Sequence, residues 1–273
     1  MVTLKEALKD KLTKAQLELV PSSYDVVGDI LIFAEFPEEL KSKEKLIANT
    51  LISLHKHVKV VTKKTKQYSG KYRLPKLKVI AGEKRKETVY KENNIILKLD
   101  VEKVYFSSRS SSERKRIAEL VKPNESVLVL FSGCAPYPCV IAKSAKPKEI
   151  YGIEINPTAH KYAKENIELN KLTNIKLFKG DVKTVLPKLK KKFDRIIMPL
   201  PKEAETYLDL AKKHIKKNGI IHLYIFLHKD NMNKKDINKI LKKYKLKSKI
   251  QNIVKAGQFS PRTYRACVDI KVS

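Results

Sequence analysis

Leucines at positions 4, 8, 12 and 19 recur near helical spacing and predict an amphipathic helix over residues 4–19, ended by Pro21. The run Asp29–Phe33 has strand character, and Pro37 opens a helical stretch to about His55. Short strands are predicted at His57–Val61, Leu77–Ala81, Glu87–Val89 and Ile95–Val101. Beyond Ser110 the rhythm changes. A helix over Glu113–Val121 leads into strand Ser126–Leu130, then Gly133 and a helix after Pro138. Strand Glu149–Ile153, helix Pro157–Leu169, strands Ile175–Phe178 and Arg195–Met198, helix Glu203–Lys216 and strand Ile220–Phe226 follow. Alternation at this spacing predicts parallel βαβ units. Leu246–Val254 and Tyr264–Val272 read as two strands pairing antiparallel at one edge. The expected fold is α/β: a doubly wound, mostly parallel Rossmann-like sheet over residues 101–273, preceded by a small α+β module over residues 1–100.

Charge sharpens this picture. Lys and Arg number 59 against 29 Asp and Glu, a formal net charge of +30. Such an excess points to a polyanionic partner, nucleic acid before an anionic membrane surface. Between Lys41 and Lys91 there are 16 basic residues and 3 acidic ones. Phosphate contacts need only cations, so the first module is read as binding RNA backbone. Lys229–Lys249, with nine Lys and two Asp, reads as a basic helix with a solvated face. No apolar run reaches about 18 residues, which excludes helical membrane insertion. The charged N-terminus lacks the apolar stretch of a secretory signal. Three cysteines offer neither a disulfide framework nor a zinc pattern, and suit a reducing, cytoplasmic setting. The six histidines form no metal-ligand pattern, so no metal is expected. A monomer is expected.

Three turns carry candidate chemistry. Phe131-Ser132-Gly133-Cys134-Ala135 follows the strand ending at Leu130, and small residues there let backbone N–H groups approach a ligand. Glu154, followed by Ile155 and Asn156, ends the next strand, where a carboxylate can accept both ribose hydroxyls of a nucleoside. Lys179-Gly180-Asp181-Val182 follows the third strand, where Asp181 can read an adenine amino group. All three belong to the carboxyl ends of parallel strands, where doubly wound sheets bind ligands. The spacing is close to that of S-adenosylmethionine (AdoMet) methyltransferases. A second phosphate-binding glycine is missing, which disfavours NAD, and no P-loop motif exists.

Several segments resemble the tRNA guanosine-37 N1-methyltransferase family. Tyr105-Phe106-Ser107-Ser108-Arg109 and Ser112-Glu113-Arg114-Lys115-Arg116-Ile117 are similar to its "YFSPR…TERxRI" signature. Asn156-Pro157, Tyr162, Glu165-Asn166-Ile167 and Leu169-Asn170 match its "NPxAxxYxxENIxLN" helix, and Asp194–Lys202 resembles "DRIIMNLPK". The basic module fits too, through Pro21–Asp29, Tyr72-Arg73, Ile80–Gly82 and Tyr90–Asn93. The resemblance runs in order from about Val20 to nearly the end of the chain. It implies a class I methyltransferase sheet, AdoMet as cofactor, and action at position 37 of the anticodon loop, with tRNA-Phe as the expected substrate. Two departures stand out. Ala135 replaces the second glycine of the family's turn, and Pro199 replaces the Asn that helps hold the target guanine. Pro at that position resembles the archaeal bifunctional branch, which methylates guanosine N1 and later C-7 of 4-demethylwyosine, giving isowyosine. Because the shared region starts almost at once, the separate module by which many relatives touch the outer corner of tRNA is expected to be missing.

The resemblance assigns roles residue by residue. Glu113 matches the proposed base for the N1 proton, and Arg73 the cation that stabilises charge growing on guanine O6. Arg109 and Arg114 match positions beside the cofactor and its carboxylate, whereas Arg116 reads as surface. Phe131, Gly133, Glu154, Ile155, Asp181, Val182 and Pro199 line the expected cofactor pocket, and Pro199 also shapes the target-base wall. Cys134 and Cys139 read as small turn and core residues. Two other readings compete: transfer of AdoMet's aminocarboxypropyl group to the wyosine precursor, which the Leu200-Pro201 pair disfavours, and a catalytically silent RNA-binding protein, which the intact Glu154 and Asp181 disfavour.

Overall fold

The computed structural model describes residues 2–273, which divide into two compact units. The first holds residues up to Lys91 and Ile96–Ser108; the second holds Glu92–Ile95 and Arg109–Ser273. The first unit begins with helices α1 (Leu4–Leu8) and α2 (Lys14–Leu19). One helix was expected there. The break comes at Thr13, whose hydroxyl accepts from the Gln16 N–H while the Gln16 side chain accepts from the Thr13 N–H, so a second helix starts. Strands β1 (Asp25–Val27) and β2 (Ile30–Phe33), helix α3 (Glu44–Leu54) and strands β3 (Val60–Ser69) and β4 (Leu74–Gly82) follow. The sheet order is β1-β2-β3-β4, with β2 and β3 parallel. Leu8, Leu31, Phe33, Leu40, Ile47, Leu51 and Val61 are fully buried in its core. Both β3 and β4 are longer than expected, because β3 is exposed from Thr65 onward and is held there by backbone pairing, which leaves no apolar signal.

Strands β5 (Glu87–Glu92) and β6 (Ile95–Asp100) form a hairpin whose tip, Glu92–Ile95, belongs to the second unit. The cause is an ion pair. Arg114 donates from Nε and Nη2 to the two oxygens of Glu92 at 2.5 and 2.6 Å, and both side chains are buried.

In the second unit α4 (Ser111–Leu120), β7 (Ser126–Leu130), α5 (Pro136–Ser144), β8 (Glu149–Glu154), α6 (Pro157–Leu169), β9 (Ile175–Lys179) and α7 (Val182–Val185) come first. Then β10 (Phe193–Met198), α8 (Leu208–His214), β11 (Ile215–His228), α9 (Lys234–Lys243), β12 (Ser248–Ser260) and β13 (Thr263–Val272) complete the chain. The seven-stranded sheet has the order β12-β13-β11-β10-β7-β8-β9. Strands β11 to β9 in that order are parallel, and β13 is antiparallel to both β11 and β12, the expected edge. After β9 the chain crosses back to build β10 on the other side of β7, so the order reverses between these two strands. The helix expected over Glu203–Lys216 is shorter, because Ile215 pairs with Phe193 and starts β11. The basic helix α9 buries Ile237 and Leu241 and ends well before Lys249, where β12 has already begun.

Removing one partner of a buried pair leaves the other charge without compensation, at about 3–5 kcal/mol. Glu92→Gln is therefore expected to lower the stability of the second unit by roughly that amount, read as a fall in urea midpoint at unchanged slope.

Candidate active site

Four strand ends meet where the strand order reverses. After Leu130 the chain turns sharply, with left-handed φ at Phe131 (55°), Gly133 (57°) and Ala135 (66°). Gly133 takes this conformation at no steric cost, while Ala135 does so at about 1 kcal/mol and then caps α5. The Gly133 N–H donates to Oε2 of Glu154 at 2.7 Å, and the Asn156 N–H donates to Oε1 at 2.7 Å. Glu154 thus ties the turn after β7 to the end of β8. Burial raises its pKa, against the opposing pull of these backbone bonds. Gly180 donates its N–H to the Glu154 carbonyl at 2.8 Å, which fixes the start of the third turn. There Asp181 caps α7, accepting from the Lys183 N–H at 2.8 Å, and Val182 is buried beneath it. Asn166, fully buried on α6, donates to the Cys134 carbonyl at 3.0 Å and holds the first turn from below.

These turns bring Phe131, Gly133, Glu154, Ile155, Asp181 and Val182 to one end of the sheet. Pro199 joins them as the residue after Met198, inside a tight turn closed by the Leu200 N–H on the Met198 carbonyl at 2.9 Å. The residues fit a nucleoside cofactor. A buried carboxylate with lone pairs to spare faces a turn of small residues, and the buried Ser132 hydroxyl within that turn has no hydrogen-bond partner.

A second constellation lies beneath α4. Glu113 is buried, and its Oε1 accepts from the Tyr224 hydroxyl at 2.6 Å. Arg116 grips the same carboxylate, donating from Nη2 to Oε1 and from Nε to Oε2, both at 2.8 Å. Tyr137 on α5 donates to the Tyr224 hydroxyl at 2.9 Å. Burial raises the pKa of both tyrosines, so both hydroxyls stay protonated donors. Arg116 also donates to Asp269 at 2.9 Å. Asp269 accepts from Nδ1 of His222 at 2.6 Å, and Nε2 of that ring faces Arg195 Nη1 at 2.6 Å. Arg195 ends the chain on Glu125 at 2.7 Å. Met198 is level with Leu223, so Tyr224 stands level with the turn that Pro199 begins. Glu113 therefore belongs to the same end of the sheet as the cofactor turns.

Arg116 corrects an expectation. Its side chain is 25% exposed and bridges two buried carboxylates, so it is no surface residue. Arg114 is turned into the buried pair with Glu92, Arg109 is exposed just before α4, and Arg73 lies in the β3–β4 turn of the first unit with φ 52°. Sequence reasoning missed Tyr224, His222, Asp269 and the role of Asn166. The signals were there: His222 and Tyr224 are polar at alternate positions of an apolar strand, and Arg116 follows Glu113 by one helical turn. Cys134, Cys139 and Cys267 are buried thiols, and burial pushes Cys134 up to about 12. Among the described residues His222, Cys267 and Asp269 cluster closely enough to hold a metal ion, but both ring nitrogens of His222 are already engaged by Asp269 and Arg195. Among the described residues no helix is long and apolar enough to cross a membrane.

Residues 88–253 match the model of the TRM5/TYW2 methyltransferase domain, and residues 4–85 that of the TYW2 N-terminal domain. The chain belongs to the TRM5/TYW2 methyltransferase family. It is 38% identical to the tRNA (guanine(37)-N(1))-methyltransferase Trm5b of Pyrococcus abyssi, over 93% of its own length and 76% of the relative's. It is 37% identical to the tRNA 4-demethylwyosine(37)-methyltransferase Taw21 of Saccharolobus solfataricus, over 91% and 93%. A solved complex of aTrm5 and tRNALeu matches with a TM-score of 0.87 at 33% identity, covering 99% of this chain and 78% of that one. As a TRM5/TYW2 enzyme the chain uses AdoMet.

Acid should loosen the network beneath α4. Burial works against the Asp269 carboxylate, but His222 and Arg116 outweigh it and hold its pKa below the usual range. The stability it contributes is present above about pH 4 and lost as the pH falls toward the folded value. His222 acts in the same direction: burial lowers its pKa, so below about pH 6.5 the unfolded ring takes up a proton that the folded ring refuses. Thermal midpoints should fall on acidification, and Asp269→Asn should start lower and vary less below about pH 4.

Proposed function

We propose that this enzyme methylates position 37 of a tRNA anticodon loop, at N1 of guanosine and also at C-7 of 4-demethylwyosine. The observation that carries the reading is the buried Glu113 carboxylate, held by Tyr224 and Arg116 at the strand ends where the cofactor turns meet. AdoMet supplies a methyl group on a positively charged sulfur. The acceptor must lose a proton, whether from N1 or from C-7, and a positioned base speeds that loss. Glu113 is that base. Its Oε1 is fixed by Tyr224 and Arg116, and its Oε2 by Arg116 Nε, so the carboxylate cannot swing away from its post.

Glu154 holds the ribose hydroxyls, Asp181 reads the adenine amino group, and Phe131, Gly133, Ile155, Val182 and Pro199 wall the pocket. Arg114 is committed to Glu92, which leaves the cofactor's carboxylate to Arg109. By its matched position Arg73 takes the charge on guanine O6. Recognition of tRNA-Phe draws on the cations of the first unit, where Lys66 and Lys76 on the β3–β4 hairpin and Lys71 in its turn are exposed. The two relatives, near-equal in identity, support dual specificity, since one is named for each base.

Glu113→Ala should slow N1 methylation about 10²-fold, the lower range for positioned proton transfer, while calorimetry finds AdoMet affinity nearly unchanged. Turnover at the wild-type rate would make Glu113 structural. Pro199→Asn tests the choice of base. Asn adds a donor and an acceptor that guanine satisfies but the wider tricyclic base leaves unpaired, at about 1–3 kcal/mol. Mass spectrometry of nucleosides from tRNA-Phe transcripts should then find guanosine methylation retained and isowyosine reduced ~10-fold or more. Equal loss of both products would free Pro199 from that role.

A further inference from the structure

Phe259 stands out on the second unit: its side chain is 65% exposed, near the end of β12. The strand is irregular there. The β12–β13 register shifts between Gln258 and Ser260, and Phe259 falls in the gap, without a cross-strand partner. A bulge re-aims a side chain, and this one brings the ring against Phe226 of β11, with centroids 4.2 Å apart and planes tilted by 37°. Phe226 lies two residues beyond Tyr224, so the two share a face of β11 about 7 Å apart. Arg265, level with Phe226 on β13, donates to the Ser110 hydroxyl at 2.8 Å, which ties this face to the start of α4. The aromatic pair thus lies one step past the Glu113–Tyr224 contact, toward the open end of the sheet.

We propose that Phe259 and Phe226 form a shelf on which an unstacked nucleotide flanking the modified one stacks. The surroundings fit a single-stranded polyanion. From Ser248 to Val272 the hairpin carries five basic residues against Asp269 alone. Lys255 lies 4.5 Å over the Tyr264 ring, and Arg262 is exposed at the hairpin end, paired with Asp230. Aromatic faces set among cations bind unstacked bases without regard to sequence, the ring taking the base and the cations the phosphates. A base drawn out of its loop leaves a neighbour that has lost a stacking partner, and the shelf replaces it.

The inference rests on the reading of the enzyme as acting at position 37. Its test uses the full chain and an anticodon stem-loop RNA carrying 2-aminopurine at position 36 or 38. Wild-type enzyme should change the fluorescence at one of the two positions. Phe259→Ala should lose that change and raise the RNA KM about 10-fold, with AdoMet affinity untouched, and Phe259→Trp should restore both. Wild-type fluorescence and KM in Phe259→Ala, beside an active wild type, would overturn the shelf alone and assign the ring to another partner. A wild type that neither binds nor methylates the RNA would overturn the shelf together with the reading beneath it.

Discussion

One guanidinium holds the buried polar network of the second unit together. Arg116 lies between Glu113 and Asp269, two buried carboxylates, and a buried charge needs a partner of opposite sign. From that cation the polar chain runs through His222 and Arg195 to Glu125, so each buried charge meets an opposite or neutral neighbour. The neutral member is settled by its bonds: Nδ1 donates to Asp269, so Nε2 is left to accept from Arg195. The topology follows from this requirement. Asp269 reaches Arg116 because β13 returns antiparallel beside β11, which places Asp269 level with His222. The antiparallel edge is therefore part of the machinery that seats Glu113.

The alternation of strands and helices after Ser110 was legible because each parallel strand is a short buried run bounded by turn residues, as in β7 and β10. So was the placement of Gly133, Glu154 and Asp181, which stand at or just beyond the ends of β7, β8 and β9 as the spacing of the turns predicts. The network beneath α4 was not. Its members come from α4, α5, β10, β11 and β13, and no local pattern links Glu113 to Asp269 across 156 positions. Arg116 looked like a surface residue because helix periodicity reports which face is apolar, not which polar residue is clamped from across a sheet. The single helix expected over residues 4–19 failed for a different reason. Leu8 and Leu12 do enter one core, but Thr13 and Gln16 close a capping box between them and Leu19.

On the proposed reading, positioning and selectivity are carried by different parts of the same sheet end. Glu113, the proposed base, is held by α4 and its network, through bonds that do not involve Pro199. The proposed wall is the turn after β10, where a proline presents no side-chain donor or acceptor and fixes its own φ. A change at position 199 can thus alter which acceptor is admitted without moving Glu113. The reverse does not hold. Any change that releases Arg116 or Tyr224 frees the Glu113 carboxylate itself, which on the proposed reading affects both acceptors alike. On that reading the turn after β10 is free to change with the base, while the clamp on Glu113 serves every acceptor and is held by bonds that the turn does not share.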